Sequence, residues 1–267
     1  MARIALSILA AMLCLLACGT LRAQPEEPPE FREAFDAYFR GDYASSLPVL
    51  RELSERGHPP SQYLLALIYL TGSTVPRNET AAAFWLHRAV IRDYPLAQYQ
   101  LAVMLDEGLG MGEDGAVART LLEHAALRED ASAQHRLKIM NAPLGTDREE
   151  LQAAERLHQQ KDEGGAFLHR LRVARRGNVE AEHAVGLAYL FGDGAVRNPD
   201  KALEWLRKAG TAGNVRSQAL LGTLLEHGEG VKHDLREALE WQRKAAQQGD
   251  ESAAEAARVL SRKLENR

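Results

Sequence analysis

Residues 181–214 read AEHAVGLAYLFGDGAVRNPDKALEWLRKAGTAGN, and residues 217–250 read SQALLGTLLEHGEGVKHDLREALEWQRKAAQQGD. Set against each other at a spacing of 36, the two segments repeat a pattern of size. A tiny residue (Gly186, Gly222) precedes a large one by three positions (Tyr189, Leu225), and glycine follows three further on (Gly192, Gly228). Asn198 and Asp234 come next, then Ala202 and Ala238, Trp205 and Trp241, Ala209 and Ala245. The same columns occur earlier in the chain: Ala66 and Ala102, Tyr69 and Leu105, Gly72 and Gly108, Asn78 and Asp114, Ala82 and Ala118, Trp85 and Leu121, Ala89 and Ala125. A fixed period of this length is the mark of a repeat architecture.

Each column has a mechanical meaning. Apolar residues at helical spacing in the first half predict a helix, and its tiny mid-helix residue lets a neighbour approach closely. The glycine marks the end of that helix, where a left-handed residue is needed. After a short loop, Asn78, Asp114, Asn198 and Asp234 are placed to cap a second helix. Pro199 suits the first turn of that helix. The second helix sets Ala, Trp or Leu, and Ala on one face. Each unit is therefore a helix–loop–helix hairpin that buries its apolar side only by stacking on its neighbours.

The period can be followed through short pairs of residues. Ser61-Gln62, Ala97-Gln98 and Ala133-Gln134 are 36 apart, as are Ala181-Glu182, Ser217-Gln218 and Ala253-Ala254. Between Ala133 and Ala181 the gap is 48, one period plus 12. In that interval Ala131–Met140 reads as a first helix, followed by Asn141-Ala-Pro-Leu-Gly145 in place of the usual loop. Thr146 with Glu149 has the spacing of a capping box, opening a helix to about Lys161. Gly164-Gly165 is expected to break that helix, and Ala166–Arg176 reads as another, ending at Gly177. Residues 131–178 are thus expected to be a degenerate unit with an extra helix.

At the N-terminus the composition changes. Arg3 precedes an almost wholly apolar run, IALSILAAMLCLLA at 4–17, which is short for a membrane span and has the form of a signal peptide. Two processing sites compete: cleavage after Ala23, and a lipobox at Leu15-Leu16-Ala17-Cys18 that would acylate Cys18. An uncleaved anchor is a third alternative. Membrane attachment is expected only if Cys18 is lipidated. The expected location is accordingly outside the cytoplasm, in the periplasm or on the outer membrane as a lipoprotein. QPEEPPE at 24–30 reads as an extended spacer. Removing residues 1–23 takes away Arg3, Arg22 and both cysteines, so 31 basic against 37 acidic residues leave a charge of −6. No thiol chemistry then remains after cleavage at Ala23.

Little in the sequence points to catalysis. GLGMGEDG at 108–115 has no following Lys-Ser/Thr, and its glycines belong to the repeat columns. None of the nine histidines has a partner at the i, i+4 spacing of a helical zinc site. Asn78-Glu79-Thr80 matches a glycosylation sequon, but its reading as a helix cap is stronger. Charges of both signs are interspersed, without the basic stripe that nucleic-acid binding requires. Neither a cofactor nor a metal is expected.

Segments 181–214 and 217–250 resemble Sel1-like repeats, relatives of the tetratricopeptide repeat, and 61–96 and 97–130 carry the same pattern. The resemblance implies an all-α fold, a right-handed superhelical α/α solenoid of helical hairpins over 31–267. Residues 31–58 resemble the hairpin that opens such arrays, and 251–264 a terminal capping helix. Sel1-like proteins commonly act as adaptors, and exported bacterial members include regulators of sensor kinases and scaffolds for polysaccharide export. The implied role is a monomeric, non-enzymatic scaffold of the bacterial cell envelope, regulatory or in envelope or polysaccharide assembly, with a protein or peptide partner and no nucleic acid. In tetratricopeptide arrays the first helices line a groove. The corresponding columns here are Tyr63, Tyr99, His135 and His183, with Leu67, Val103, Ile139 and Leu187 one turn on. Amphipathic aromatics are good anchors for a partner, although the same residues could pack against the next hairpin. The alternative is a cell-wall or β-lactam-binding envelope enzyme. Relatives associated with such compounds carry a disulfide in each repeat, which this chain lacks, and it has no Ser-x-x-Lys motif.

Overall fold

The computed structural model describes residues 27–228 and 231–265. The leader at 1–23, Cys18 and the first residues of the spacer lie outside the described residues. Every regular element among the described residues is an α-helix. The chain forms two compact units, the first running to Met140 and the second from Asn141.

The first unit contains α1 (Pro29–Phe39), α2 (Tyr43–Glu55), α3 (Pro59–Thr71), α4 (Glu79–Ile91), α5 (Pro95–Glu107), α6 (Gly115–Leu127) and nearly all of α7 (Ala131–Asn141). The second contains α8 (Asp147–Gln159), α9 (Glu163–Ala174), α10 (Val179–Phe191), α11 (Pro199–Thr211), α12 (Val215–His227), α13 (Leu235–Gln247) and α14 (Glu251–Glu265). In each unit a helical hairpin with a tight turn is followed by two repeat hairpins and a closing helix. The correspondence holds residue by residue. Helices α10 to α14 begin at 179, 199, 215, 235 and 251, each 120 residues after α3 to α7 at 59, 79, 95, 115 and 131.

The columns behave as the size pattern requires. Gly72, Gly108, Gly192 and Gly228 all take left-handed φ values and end the first helices. Asn78, Asp114, Asn198 and Asp234 each accept a backbone N–H of the following first turn, at 2.9–3.0 Å for Ala81, Val117, Lys201 and Glu237. Their own N–H groups donate to Tyr69, Leu105, Tyr189 and Leu225, the large-residue column, at 2.7–3.0 Å. Cap and large residue thus close each loop from both sides. At the tiny positions, a Cβ on Gly186 would lie 2.8 Å from Leu206 on α11, which leaves no room for a larger residue there.

The 131–178 interval differs from the sequence expectation. Thr146 and Glu149 do form a capping box at the start of α8. The break comes at Lys161, whose φ is +63°, and not at Gly164-Gly165. Asp162 caps α9 by accepting the N–H of Gly165 at 2.9 Å, so the glycine pair lies in the first turn. Amides of that turn have no intrahelical acceptor, and glycine there does not interrupt a helix. Asp42 plays the same part before α2, accepting from Ser45 at 3.1 Å. Helices α8 and α9 are therefore the second unit's version of the opening hairpin α1–α2, and α7 occupies the place that α14 holds in the second unit. Glu150 of α8 anchors this hairpin: its buried carboxylate lies 2.7 Å from His169 and 3.2 Å from Arg172, both on α9. Burial pushes the Glu150 carboxyl up, but His169, the Gly145 amide and Arg172 outweigh it and leave it below the usual range.

Candidate functional site

The first helices of the first unit carry Tyr63 and Leu67 on α3, Tyr99 and Val103 on α5, and His135 and Ile139 on α7. Tyr63 is buried, and its ring lies 5.8 Å from that of Tyr94. Burial, with smaller contributions from Tyr94 and Tyr38, holds its phenol firmly protonated. Tyr99 is half-buried and packs against the cluster of Ala102, Ala118, Leu122, Ala125 and Ala133. Val103 and Ile139 are buried; Leu67 and His135 are half-buried. In the second unit, Leu187 is half-buried and His183 buried, with its Nδ1 2.7 Å from Ser217 Oγ on α12. Burial lowers the His183 pKa, and Arg216 lowers it further against Glu180. The predicted residues are therefore anchored in the stack, each showing only part of its side chain.

Two groups that the columns did not single out complete the first unit's face. Aromatic rings on the opening hairpin form a chain: Phe31 to Phe35 at 5.8 Å, Phe35 to Phe39 at 4.5 Å and Tyr38 to Tyr43 at 5.2 Å. Tyr94, in the turn before α5, pairs separately with Tyr63. The signal for Tyr94 was present in the sequence, since its repeat equivalents Asp130, Asn214 and Asp250 are short polar residues. Its ring makes no helix-capping hydrogen bond and packs instead on Tyr63. At the positions 120 residues on from Tyr38, Tyr63, Tyr94 and Tyr99 stand His158, His183, Asn214 and Ala219. Tyrosine is thus concentrated in the first unit.

The other group is ionic. Arg136 on α7 lies 2.5 Å from Asp106 and 3.2 Å from Glu107 at the end of α5, all three buried. Burial alone would lower the guanidinium pKa, but Glu107 and Asp106 reverse the effect and keep it charged. Arg136 also faces Tyr99, whose hydroxyl is raised by burial and opposed by that cation. This pins α5 to α7 through charge-assisted hydrogen bonds, the stronger kind. Among the described residues, no group of three or more His, Cys, Asp or Glu converges as a metal site would. No helix among them is long and apolar enough to cross a membrane.

Comparison with known proteins agrees with the repeat columns. The Sel1 repeat matches residues 59–93, 95–130, 179–214 and 215–250, more than half of the chain. Among curated proteins none matches. A Sel1 repeat protein from Oxalobacter formigenes is 24% identical over 84% of this chain and 86% of its own, with a TM-score of 0.38. A protective antigen of uropathogenic Escherichia coli, c5321, which displays the SLR fold, is 24% identical over 88% of this chain, with a TM-score of 0.41. The match spans 49% of that antigen's length. With four matched repeats folded as hairpins at those positions, the chain belongs to the Sel1 repeat family.

Proposed function

We propose that this protein is a non-enzymatic scaffold of the bacterial cell envelope that holds a protein or peptide partner on the first-helix face of its first unit. Sel1 repeat proteins in general serve protein–protein interaction, and this chain has the family's repeats. The observation that carries the reading is the set of half-buried tyrosines Tyr38, Tyr94 and Tyr99 about the buried ring of Tyr63, beside half-buried Leu67. A surface assembled from several helices suits an extended partner better than a small substrate. Two ion pairs that include buried groups, Arg136 with Asp106 and Glu150 with His169, join helix to helix and account for themselves structurally. Export to the periplasm or to the outer membrane as a lipoprotein rests on the apolar leader and on Cys18.

The test uses the full chain in its native envelope. A photo-crosslinking side chain replaces Leu67, and the captured segment is sequenced; in a separate pull-down with that partner, Leu67→Ala should leave the melting temperature within a few degrees while weakening capture. Capture unaffected by Leu67→Ala, or a binding site mapped wholly to the second unit, would exclude this face. Mass spectrometry of the mature N-terminus distinguishes Gln24, acylated Cys18 and Met1. Turnover of a chromogenic β-lactam or of peptidoglycan fragments would instead support the enzymatic alternative.

A further inference from the structure

The second helices of the first unit expose an apolar patch that the fold does not require. Phe84 and Ile91 on α4 are 55% and 71% exposed, and Val117 and Leu127 on α6 are 46% and 82% exposed. The two helices are tied at both ends. Thr80 donates to the carbonyl of Gly110 in the loop entering α6, at 3.3 Å, and Arg128 after α6 pairs with Asp93 after α4. The four side chains are therefore carried by two helices fixed to each other, and grouped exposed apolar residues mark interaction sites more often than scattered ones do.

The second unit supplies an internal control. At the equivalent positions, 120 residues on, stand Glu204, Thr211, Glu237 and Gln247. Glu237 there receives two hydrogen bonds from Arg207, at 2.8 and 3.0 Å, bridging α11 to α13. The first unit has Val117 and His87 in place of that ion pair. One frame is thus built twice, once with a charged outer face and once with large apolar side chains. The apolar set also has a basic setting. Arg88 lies over the rings of Phe84 and Trp85 at 5.8 and 5.4 Å, and His87 and His124 are close by in sequence, while the Arg92 guanidinium lies against Gly57. The acids on these helices are Glu123, and Glu79, which is tied to Arg77.

We infer that the outer face of α4 and α6 docks an amphipathic helix of a protein partner, one whose apolar stripe is flanked by carboxylates. Two neighbouring helices present ridges and a furrow into which a third helix packs. Arg88 supplies local complementarity to an acidic partner on a chain whose net negative charge would otherwise repel it. The same cation opposes the patch meeting itself in a second copy. This surface is separate from the tyrosine face, so its test stands apart from the one above.

The probes are two synthetic helical peptides of about 18 residues with an identical leucine stripe, one flanked by glutamate and one by lysine. Binding to the full chain is measured by calorimetry, beside a variant that carries the second unit's residues: Phe84→Glu, Ile91→Thr, Val117→Glu and Leu127→Gln. We expect the glutamate peptide to bind at least about tenfold more tightly than its lysine counterpart, and the variant to lose about tenfold or more. If the variant folds poorly, Arg88→Glu serves instead and should turn the preference toward the lysine peptide. Equal binding of the two peptides, or no effect of these variants, overturns the inference. So does uptake by phosphatidylglycerol vesicles, or self-association in sedimentation, that the patch variant abolishes while peptide binding is absent.

Discussion

The side-chain amide of Gln218 donates to the carbonyl oxygen of Gly210 at 2.8 Å, joining the start of α12 to the end of α11. Gln62 does the same to Ser54 at 2.9 Å, and Gln134 to Ala126 at 3.1 Å. In each case the acceptor lies eight residues earlier, at the end of the preceding helix, where carbonyls lack intrahelical partners. This is the physical content of three of the four Ser-Gln and Ala-Gln pairs; in the fourth, Gln98 donates instead to the Asp93 carboxylate at 2.9 Å.

Glu182 occupies the same column but is an acid. It is buried, and burial raises its carboxyl pKa, only partly offset by Lys208. A carboxyl raised in the folded state contributes stability that is full below its unfolded pKa and lost as pH rises through the folded value. Glu182→Gln should therefore stabilise the protein at pH 7 by about 1 kcal/mol, with an amide able to donate at all pH values. The gain should shrink as the pH falls toward 4. Urea denaturation at both pH values measures it, and a variant less stable than the parent at neutral pH would contradict the role assigned to this column.

Arg136 neutralises Asp106 and Glu107 in a buried setting. Arg136→Met removes the cation and leaves two carboxylates without it. The expected loss is about 3–5 kcal/mol at neutral pH, in the range found for breaking a buried pair. The triple variant with Asp106→Asn and Glu107→Gln should recover much of that loss. Denaturation curves for the single and triple variants check the coupling, and equal losses in both would show that charge is not what matters there.

Two glycines separate strain from crowding. Gly194 has φ +78°, and a Cβ there would run into the backbone of Glu163 at the start of α9. Gly213 has φ +96° with nothing within 4 Å of its Cβ position. Gly213→Ala should cost about 1–2 kcal/mol, the left-handed penalty alone. Gly194→Ala should cost clearly more, because the loop must also lift from α9. Melting temperatures of the two variants decide the matter.

Tyr63 tests how much of the tyrosine face is structural. Its ring packs on Tyr94 and is almost wholly enclosed. Tyr63→Ala should cost about 3–5 kcal/mol, as for other large aromatic truncations, whereas Tyr63→Phe should cost less than about 1.5 kcal/mol. A full-length alanine variant of parental stability would place this ring outside the core and make it a contact residue in its own right.

The helices were legible in the sequence because their ends are written in residues with one mechanical purpose. Gly192 can end a helix cheaply and Asn198 can cap one, so a repeat of those two sets the hairpin. The middle of the chain was harder. Gly164-Gly165 looks like an interruption by composition, but Asp162 caps the helix that contains the pair, and Lys161 makes the turn in a conformation that lysine seldom adopts. Helix spacing also places residues on faces without saying which neighbours they meet. Tyr63 meets Tyr94, a turn residue outside its column, and Arg136 meets two acids about thirty residues away in the chain. Those contacts depend on how hairpins stack, which single-helix periodicity does not encode.

The 120-residue correspondence gives each half its own copy of the instructions for turning and stopping. Once glycine bends and side-chain caps are in place twice over, the outward-facing letters of one copy can change without disturbing how either copy is spelled. Specialisation then needs few substitutions: phenylalanine in place of glutamate at one position and valine in place of glutamate at another address a surface differently while its twin keeps a water-loving one.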